Sequence, residues 1–312
     1  MARYLTADSL ITDVKRRGMI PSTQKTFENE DFLMFANQEM DIGVVPHVLS
    51  FHEEYYVSMV EIPITTETRY IIPSRAIGNK LREVRFKDDN GNLYEMTQVA
   101  IEDEPYFQYS NMSGRFRSFS IEGNEIVLNV TPESNGLSGF LQIVFYIRPN
   151  TLVLESNVAK ITAINTSTKT VTIDKFPSGF SGITTFDITS SKNPYNLVAI
   201  DVAPTTLPTS SSFFITFSSL PKNLNIGDVV SVPEETSIVQ APLELHSMLS
   251  QRVVIRCLEA LGDTQGVQNA MAKLTEMEQK TGSIIDNRVE GASKKVNNLH
   301  SHLRNSRKWF RR

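Results

Sequence analysis

The spacing of apolar residues along the chain changes character twice. Near the start, ADSLITDVKRRG (7–18) places Leu10, Ile11 and Val14 on one helical face. Gly18 is positioned to close that helix in the left-handed conformation. A second helix is predicted to open within KTFENEDF (25–32), where Thr26 or Asn29 is the expected cap. Glu28, Glu30 and Asp31 suit the positive end of its dipole. Phe32, Phe35, Ala36 and Met40 continue at helical spacing, an end is expected near Gly43, and Pro46 opens a short turn through Ser50.

From about Tyr55 the period falls to two, the mark of strands. YYVSMVEIPI (55–64) and TRYIIP (68–73) read as strands, and LREVRFK and NLYEMTQV flank Asp89-Asn90-Gly91, a hairpin signal because Asn and Gly tolerate positive φ. RSFSIEGNEIVLNV (117–130) repeats the design around Gly123-Asn124. GFLQIVFYIRP (139–149) is continuously apolar and reads as a buried central strand. EDEPYF (102–107) reads as a short helical or looped excursion. Residues 156–236 differ: they are rich in Ser and Thr, contain no Arg, and hold short strand-like runs punctuated by Pro177-Ser178-Gly179, Ser181-Gly182 and Ile226-Gly227-Asp228. They predict a small all-β unit.

After Pro242 the helical period returns. Leu245, Leu249, Val253, Cys257 and Leu261 form a row at i, i+4, widened by Met248, Val254 and Leu258. Gly262 can end this helix and Asp263 or Thr264 can cap the next. Val267, Ala270, Met271, Leu274 and Met277 mark a second apolar face. The fold class expected is therefore α+β. N- and C-terminal helices (1–54 and 241–290) form one bundle, with a long antiparallel β region (55–150) and a small inserted β-barrel-like unit (151–240) between them. Residues 291–312 read as a basic extended docking arm.

A chain of 312 residues with 40% hydrophobic and 21% charged content is long enough to build substantial cores. No apolar run approaches the ~18 residues a membrane span needs, so no membrane is expected as partner. MARYLTADSL has neither the apolar core nor the cleavage site of a secretory signal. The single cysteine, Cys257, lies on an apolar helical row and reads as a small buried hydrophobe.

Searching for chemistry gives mostly exclusions. HEEYY (52–56) has the first half of a zinc-protease helix, but Tyr56 stands where the second histidine belongs. GLSG (136–139) and GFSG (179–182) each fall one residue short of a nucleophile elbow. Neither a GxxxxGK[ST] nor a GxGxxG is present. His300 and His302 are two apart and have no further imidazole or thiol nearby. Glu102-Asp103-Glu104 reads as a solvated loop rather than a cation site. No catalysis, cofactor or metal is expected. The aromatics of the β unit (Phe176, Phe180, Phe186, Tyr195, Phe213, Phe214 and Phe217) read as core filling, with a glycan- or receptor-binding module as the alternative.

Charge is distributed unevenly, and this changes the picture. The net charge is −4, yet no carboxylate follows Glu290, and seven basic residues do: Lys294, Lys295, Arg304, Arg307, Lys308, Arg311 and Arg312. Setting those seven aside from 31 leaves 24 basic against 35 acidic residues, a balance of −11. Trp309, the only tryptophan, sits in the basic run beside Phe310. Three readings stand: a solvated end, a nucleic-acid contact with Trp309 stacking on a base, or an arm docking into a groove on another protein, since Trp, Phe and Arg anchor interfaces.

Three long stretches carry a resemblance: ITDVKRRGMIPSTQKTFENEDFLMFANQEMDIGVVPHVLSFHEEYYV, YIIPSRAIGNKLREVRFKDDNGNLYEM and QRVVIRCLEALGDTQGVQNAMAKLTEMEQK. The chain resembles the head-to-tail connector (adaptor or ring) proteins of tailed bacteriophages, over most of residues 8–150 and 240–295. The Ser/Thr-rich unit has no counterpart in that pattern. The resemblance implies a structural virion protein, a helical bundle carrying a β domain. It implies assembly as a ring, commonly a dodecamer, beneath the portal protein between capsid and tail. Its partners would be the portal, neighbouring copies, further tail or ring proteins, and DNA passing through the lumen without specific binding. The C-terminal arm would clamp the portal through Arg304, Arg307, Lys308, Trp309, Phe310, Arg311 and Arg312. An acidic lumen would let duplex DNA slide.

Overall fold

The structure is a computed structural model, and it describes residues 6–21, 26–51, 53–103, 118–129, 138–193 and 197–285. The chain is mixed α+β. Helix α1 (Ala7–Arg17) is capped by Thr6, whose Oγ1 accepts from the Ser9 amide, and it buries Ala7, Leu10, Ile11 and Val14. Its end departs from expectation. Gly18 has φ −77° and the left-handed conformation falls on Met19, at φ 52°. A Cβ on Gly18 would stand 3.3 Å from both the Ile20 side chain and the Val14 carbonyl, so glycine serves close packing there.

Helix α2 (Asn29–Glu39) begins at Glu28 rather than at Thr26 or Asn29. The Asp31 carboxylate accepts from the Glu28 amide at 2.8 Å, which ties off a donor that would otherwise be left open at the helix start. Gly43 does not stop the helix. A π-helical turn, Met40–Val44, carries the chain directly into α3 (Val45–Phe51). A Cβ on Gly43 would lie 2.5 Å from Nη1 of Arg252, so this glycine makes room for a guanidinium.

The β region forms two four-stranded sheets. Strand β1 is Val57–Pro63, β2 Arg69–Ile71, β3 Ala76–Asp88, β4 Leu93–Glu95, β5 Thr97–Gln98, β6 Ser118–Glu122, β7 Glu125–Leu128 and β8 Gly139–Ile147. The orders are β1-β8-β3-β4 and β2-β7-β6-β5. As its apolar run predicts, β8 is interior, paired with β1 on one side and β3 on the other. The hairpins at Asp89–Gly91 and Gly123-Asn124 form, with Lys87 opposite Leu93 and Glu122 opposite Glu125. NLYEMTQV is not one strand: Met96 is buried between β4 and β5, which belong to different sheets.

Strand β9 (Thr151–Leu152) leads into the Ser/Thr-rich unit: β10 (Ala159–Asn165), β11 (Thr170–Ile173), β12 (Phe186–Thr189), β13 (Leu197–Val202), β14 (Phe214–Thr216) and β15 (Val229–Ser231). They make an antiparallel sheet of order β13-β12-β15-β10-β11-β14 around Ile161, Val171, Phe180, Phe186, Ile188, Ile215 and Phe217. Strand β16 (Glu235–Thr236) returns beside β9 in parallel, so the chain leaves and rejoins at one seam. Phe180, Phe186 and Phe217 fill the core as expected, but Phe213 and Phe214 are exposed. Tyr195 lies outside the described residues.

Helix α4 (Leu243–Leu261) buries Leu245, Leu249, Val253 and Cys257, while Leu261 is exposed. Gly262 ends it at φ 74°, and Asp263 accepts from the Gly266 amide to start α5 (Thr264–Ile285). Met271 is exposed rather than on the inner face of α5. One apolar cluster joins α1, α2, α3 and α4 to strands of both four-stranded sheets, through residues such as Val14, Phe32, Val48, Phe86, Leu141, Phe119 and Val253. Burial pushes the Cys257 thiol up to about 12, which leaves it inert.

Candidate interaction surface

Arg304, Arg307, Lys308, Trp309, Phe310, Arg311 and Arg312 all lie outside the described residues, as do the rest of the arm and Glu104. Tyr56, in the failed metal motif, is buried and donates to the Gln240 carbonyl at 3.0 Å. Among the described residues no group of three His, Cys, Asp or Glu side chains is placed to hold a metal. What the structure offers is two ionic anchors and an open groove.

The first anchor joins the two ends of the chain. Glu39, buried at the end of α2, accepts from Arg252 Nη1 at 3.2 Å and from Arg256 Nε at 2.6 Å. These arginines are one turn apart on α4, and Arg252 also reaches Glu278 on α5. One carboxylate thus holds two guanidinium groups, and its contact raises the Arg256 pKa.

The second anchor fixes the Ser/Thr-rich unit to the β region. Asp187 on β12 is fully buried, and Arg75, just before β3, is 6% exposed. Arg75 Nη1 meets Asp187 Oδ2 at 2.5 Å and Nη2 meets Oδ1 at 3.1 Å, a two-pronged pair. Asn150 Nδ2 and the Glu234 amide also donate to Oδ2, and the Asp201 amide donates to Oδ1. Arg75 Nη2 reaches Asp201 as well, at 2.7 Å. Five hydrogen bonds thus converge on the Asp187 carboxylate.

The groove lies between α2 and the chain leaving β9. Its volume is about 450 Å³, and Leu33, Met34, Leu152, Val153 and Leu154 give it apolar walls. Asn37 builds it: its Oδ1 accepts from the Leu152 amide at 2.7 Å and its Nδ2 donates to the Leu152 carbonyl at 3.2 Å. Glu30 and Asp41, both exposed, also line it. Partial burial of the Asp41 carboxyl raises its pKa, and Arg148 opposes that shift. Neither carboxylate has an ion-pair partner among the described residues. Replacing Asn37 by alanine strands two backbone groups, so Asn37→Ala is expected to cost about 1–3 kcal/mol, read by urea unfolding.

Sequence reading missed all three features. Each pairs residues more than 100 positions apart: 213 for Glu39 and Arg252, 112 for Arg75 and Asp187, 115 for Asn37 and Leu152. The one local signal was the pair of arginines at i, i+4 within the amphipathic α4. No protein-family model matches the chain, and no curated protein matches it.

Proposed function

We propose that this chain is a head-to-tail connector of a tailed bacteriophage, acting by assembly rather than catalysis. Its N- and C-terminal helices form one bundle, copies close into a ring beneath the portal, the lumen continues the DNA channel, and the basic C-terminal arm clamps the portal. The observation that carries this reading is the joining of α2 and α4, through residues 213 positions apart, by one buried carboxylate, Glu39. That anchor makes the helices of both ends a single platform, with the β region and the Ser/Thr-rich unit carried between them. The sequence then continues past α5, and after Glu290 it carries seven basic residues and no acidic one. An acid-rich body suits a channel that must not hold DNA, and a basic, aromatic-tipped end suits an acidic groove on a protein.

Each copy in a ring uses two different patches, so closure depends on a fixed rotation. Many weak arm contacts then act together once the ring is registered. The test is sedimentation of the portal of the same phage with the full chain and with a chain ending at Ala292. A large defined complex that is lost on truncation supports the connector and its clamp. A complex that survives truncation keeps the connector and removes the clamp. No complex in either case returns DNA binding and glycan binding to first place, and a steep loss of DNA affinity with salt would mark the former. Within the arm, Trp309→Ala is expected to weaken portal attachment more than any single Arg→Ala, because a large ring filling a pocket outweighs one screened charge. Equal effects in that binding series would remove Trp309 as the anchor.

A further inference from the structure

We propose that the turn Arg16–Met19 of one copy seats in the α2 groove of a second copy, giving the two unlike halves of a head-to-tail contact. This rests on the ring reading above and names the surfaces that would build the ring.

The first half is a projecting turn. Met19 is 90% exposed, the most exposed of the large apolar side chains among the described residues. It is held out by backbone that an unbranched L-residue adopts only under strain, φ 52°, although a glycine stands next to it. The turn is fixed from both sides: the Gly18 amide donates to the Val14 carbonyl at 2.9 Å, and the Ile20 amide to the Lys15 carbonyl at 2.9 Å. Ile20 is buried, so the chain is pinned on either side of the exposed methionine. Beside it Arg16 is exposed and has no ion-pair partner among the described residues, whereas Arg17 is tied to Asp13. The turn therefore presents one long apolar side chain and one free guanidinium.

The second half is the groove, whose chemistry is the complement: apolar walls and two exposed carboxylates, Glu30 and Asp41, neither in a salt bridge among the described residues, with only the field of Arg148 acting on Asp41. Methionine suits such a cleft, being unbranched and polarizable. Met34 on the groove wall is itself half exposed, so part of the apolar surface is uncovered in the single copy.

The two halves cannot meet within one copy. Glu30, Leu33, Met34, Asn37 and Gln38 share one side of α2, as residues three and four apart do. Phe32 points from the opposite side, and there it packs under the end of α1: Lys15 Nζ lies 5.1 Å from the Phe32 ring and bonds Asn29 Oδ1 at 3.0 Å. Turn and groove thus flank α2 on opposite sides, so their union must join different copies. Unlike patches facing away from each other propagate head to tail, and close into a ring when the rotation allows.

Cysteines placed at Met19→Cys and Met34→Cys in one full-length chain test this, since the buried Cys257 stays out of the reaction. Under mild oxidation the double variant is expected to give a ladder of disulfide-linked species of three copies and more, because both sites of each chain are used. Mixing the two single variants should stop at the heterodimer. A control pairing Met34→Cys with Met271→Cys, on α5, should give at least tenfold less product. Met19→Gly relieves the strained φ and so keeps the fold, yet self-association by sedimentation should weaken at least tenfold. A ladder no stronger than the control, or self-association unchanged in Met19→Gly, overturns the proposal. So does efficient coupling of Met34→Cys to Trp309→Cys in place of Met19→Cys, which would make the basic arm the occupant of the groove. A ring on the portal without the 19–34 bond removes this contact and leaves the connector standing. The ladder without any portal complex does the reverse.

Discussion

Asp187→Ala is expected to lower the unfolding free energy by about 3–5 kcal/mol, the cost of opening a buried ion pair from one side. Arg75 stays 6% exposed and keeps as counter-charges Asp201, whose side chain is half in solvent, and the more distant Glu234, exposed and 4.0 Å from Nε. The Asn150 amide and the backbone amides of Asp201 and Glu234 lose their acceptor at the same time. Asp187→Asn should be nearly as damaging despite its matching shape. Both carboxylate oxygens accept from at least two donors, so whichever way the amide lies, its NH2 faces N–H groups. Limited proteolysis locates the damage: cleavage within 153–234 should accelerate while α4 and the β8 sheet stay protected. Equal loosening everywhere would show that Asp187 supports the whole chain rather than this junction.

Glu39→Ala is the second large effect, about 3 kcal/mol from two charge-assisted hydrogen bonds, since Arg252 keeps Glu278 and the part-exposed Arg256 keeps Glu259. Removing the carboxylate leaves Arg252 and Arg256, one turn apart on α4, facing each other across the emptied site. Glu278 still engages Arg252 but lies on α5, so the tie between α2 and α4 is what is lost. The loss should be almost independent of salt, since Glu39 is buried. Breaking the exposed Lys280–Glu276 pair should leave stability close to unchanged, and added salt should abolish what effect there is. Urea titrations of both variants at low and high salt make the comparison. A salt-sensitive Glu39→Ala would mean that water already reaches the pair.

The sequence was most legible where the physics is local. The turn at Asp89–Gly91, the stop at Gly262 and the interior place of β8 follow from residues within a few positions of one another. It misled where a neighbour in space takes over. Gly43 read as a helix stop but makes room for Arg252, and Gly18 does close α1, though packed against Ile20 with the left-handed turn passed on to Met19. Met96 sits inside a run that alternates like one strand, yet it is the point where the chain crosses between sheets. The groove was nearly invisible. Leu33 and Met34 fall off the row formed by Phe32, Ala36 and Met40, and only the distant Leu152 turns that second apolar side into a cleft. Charge asymmetry pointed to the arm because it is a property of composition, which needs no partner to be read.

The tie between Glu39 and Arg252 also sets a clock. A ribosome adding about 5–20 residues per second needs on the order of 10–40 s to travel the 213 positions between them. Through that interval the apolar faces of α1 and α2 have no α4 to cover them, and the β strands emerge beside an unfinished core. The Ser/Thr-rich unit, with its own apolar centre, has the means to condense during the wait; the platform does not. The nascent chain is thus most prone to stick to its neighbours just before its last helices appear, and slowing synthesis ahead of Leu243 would lengthen that exposure.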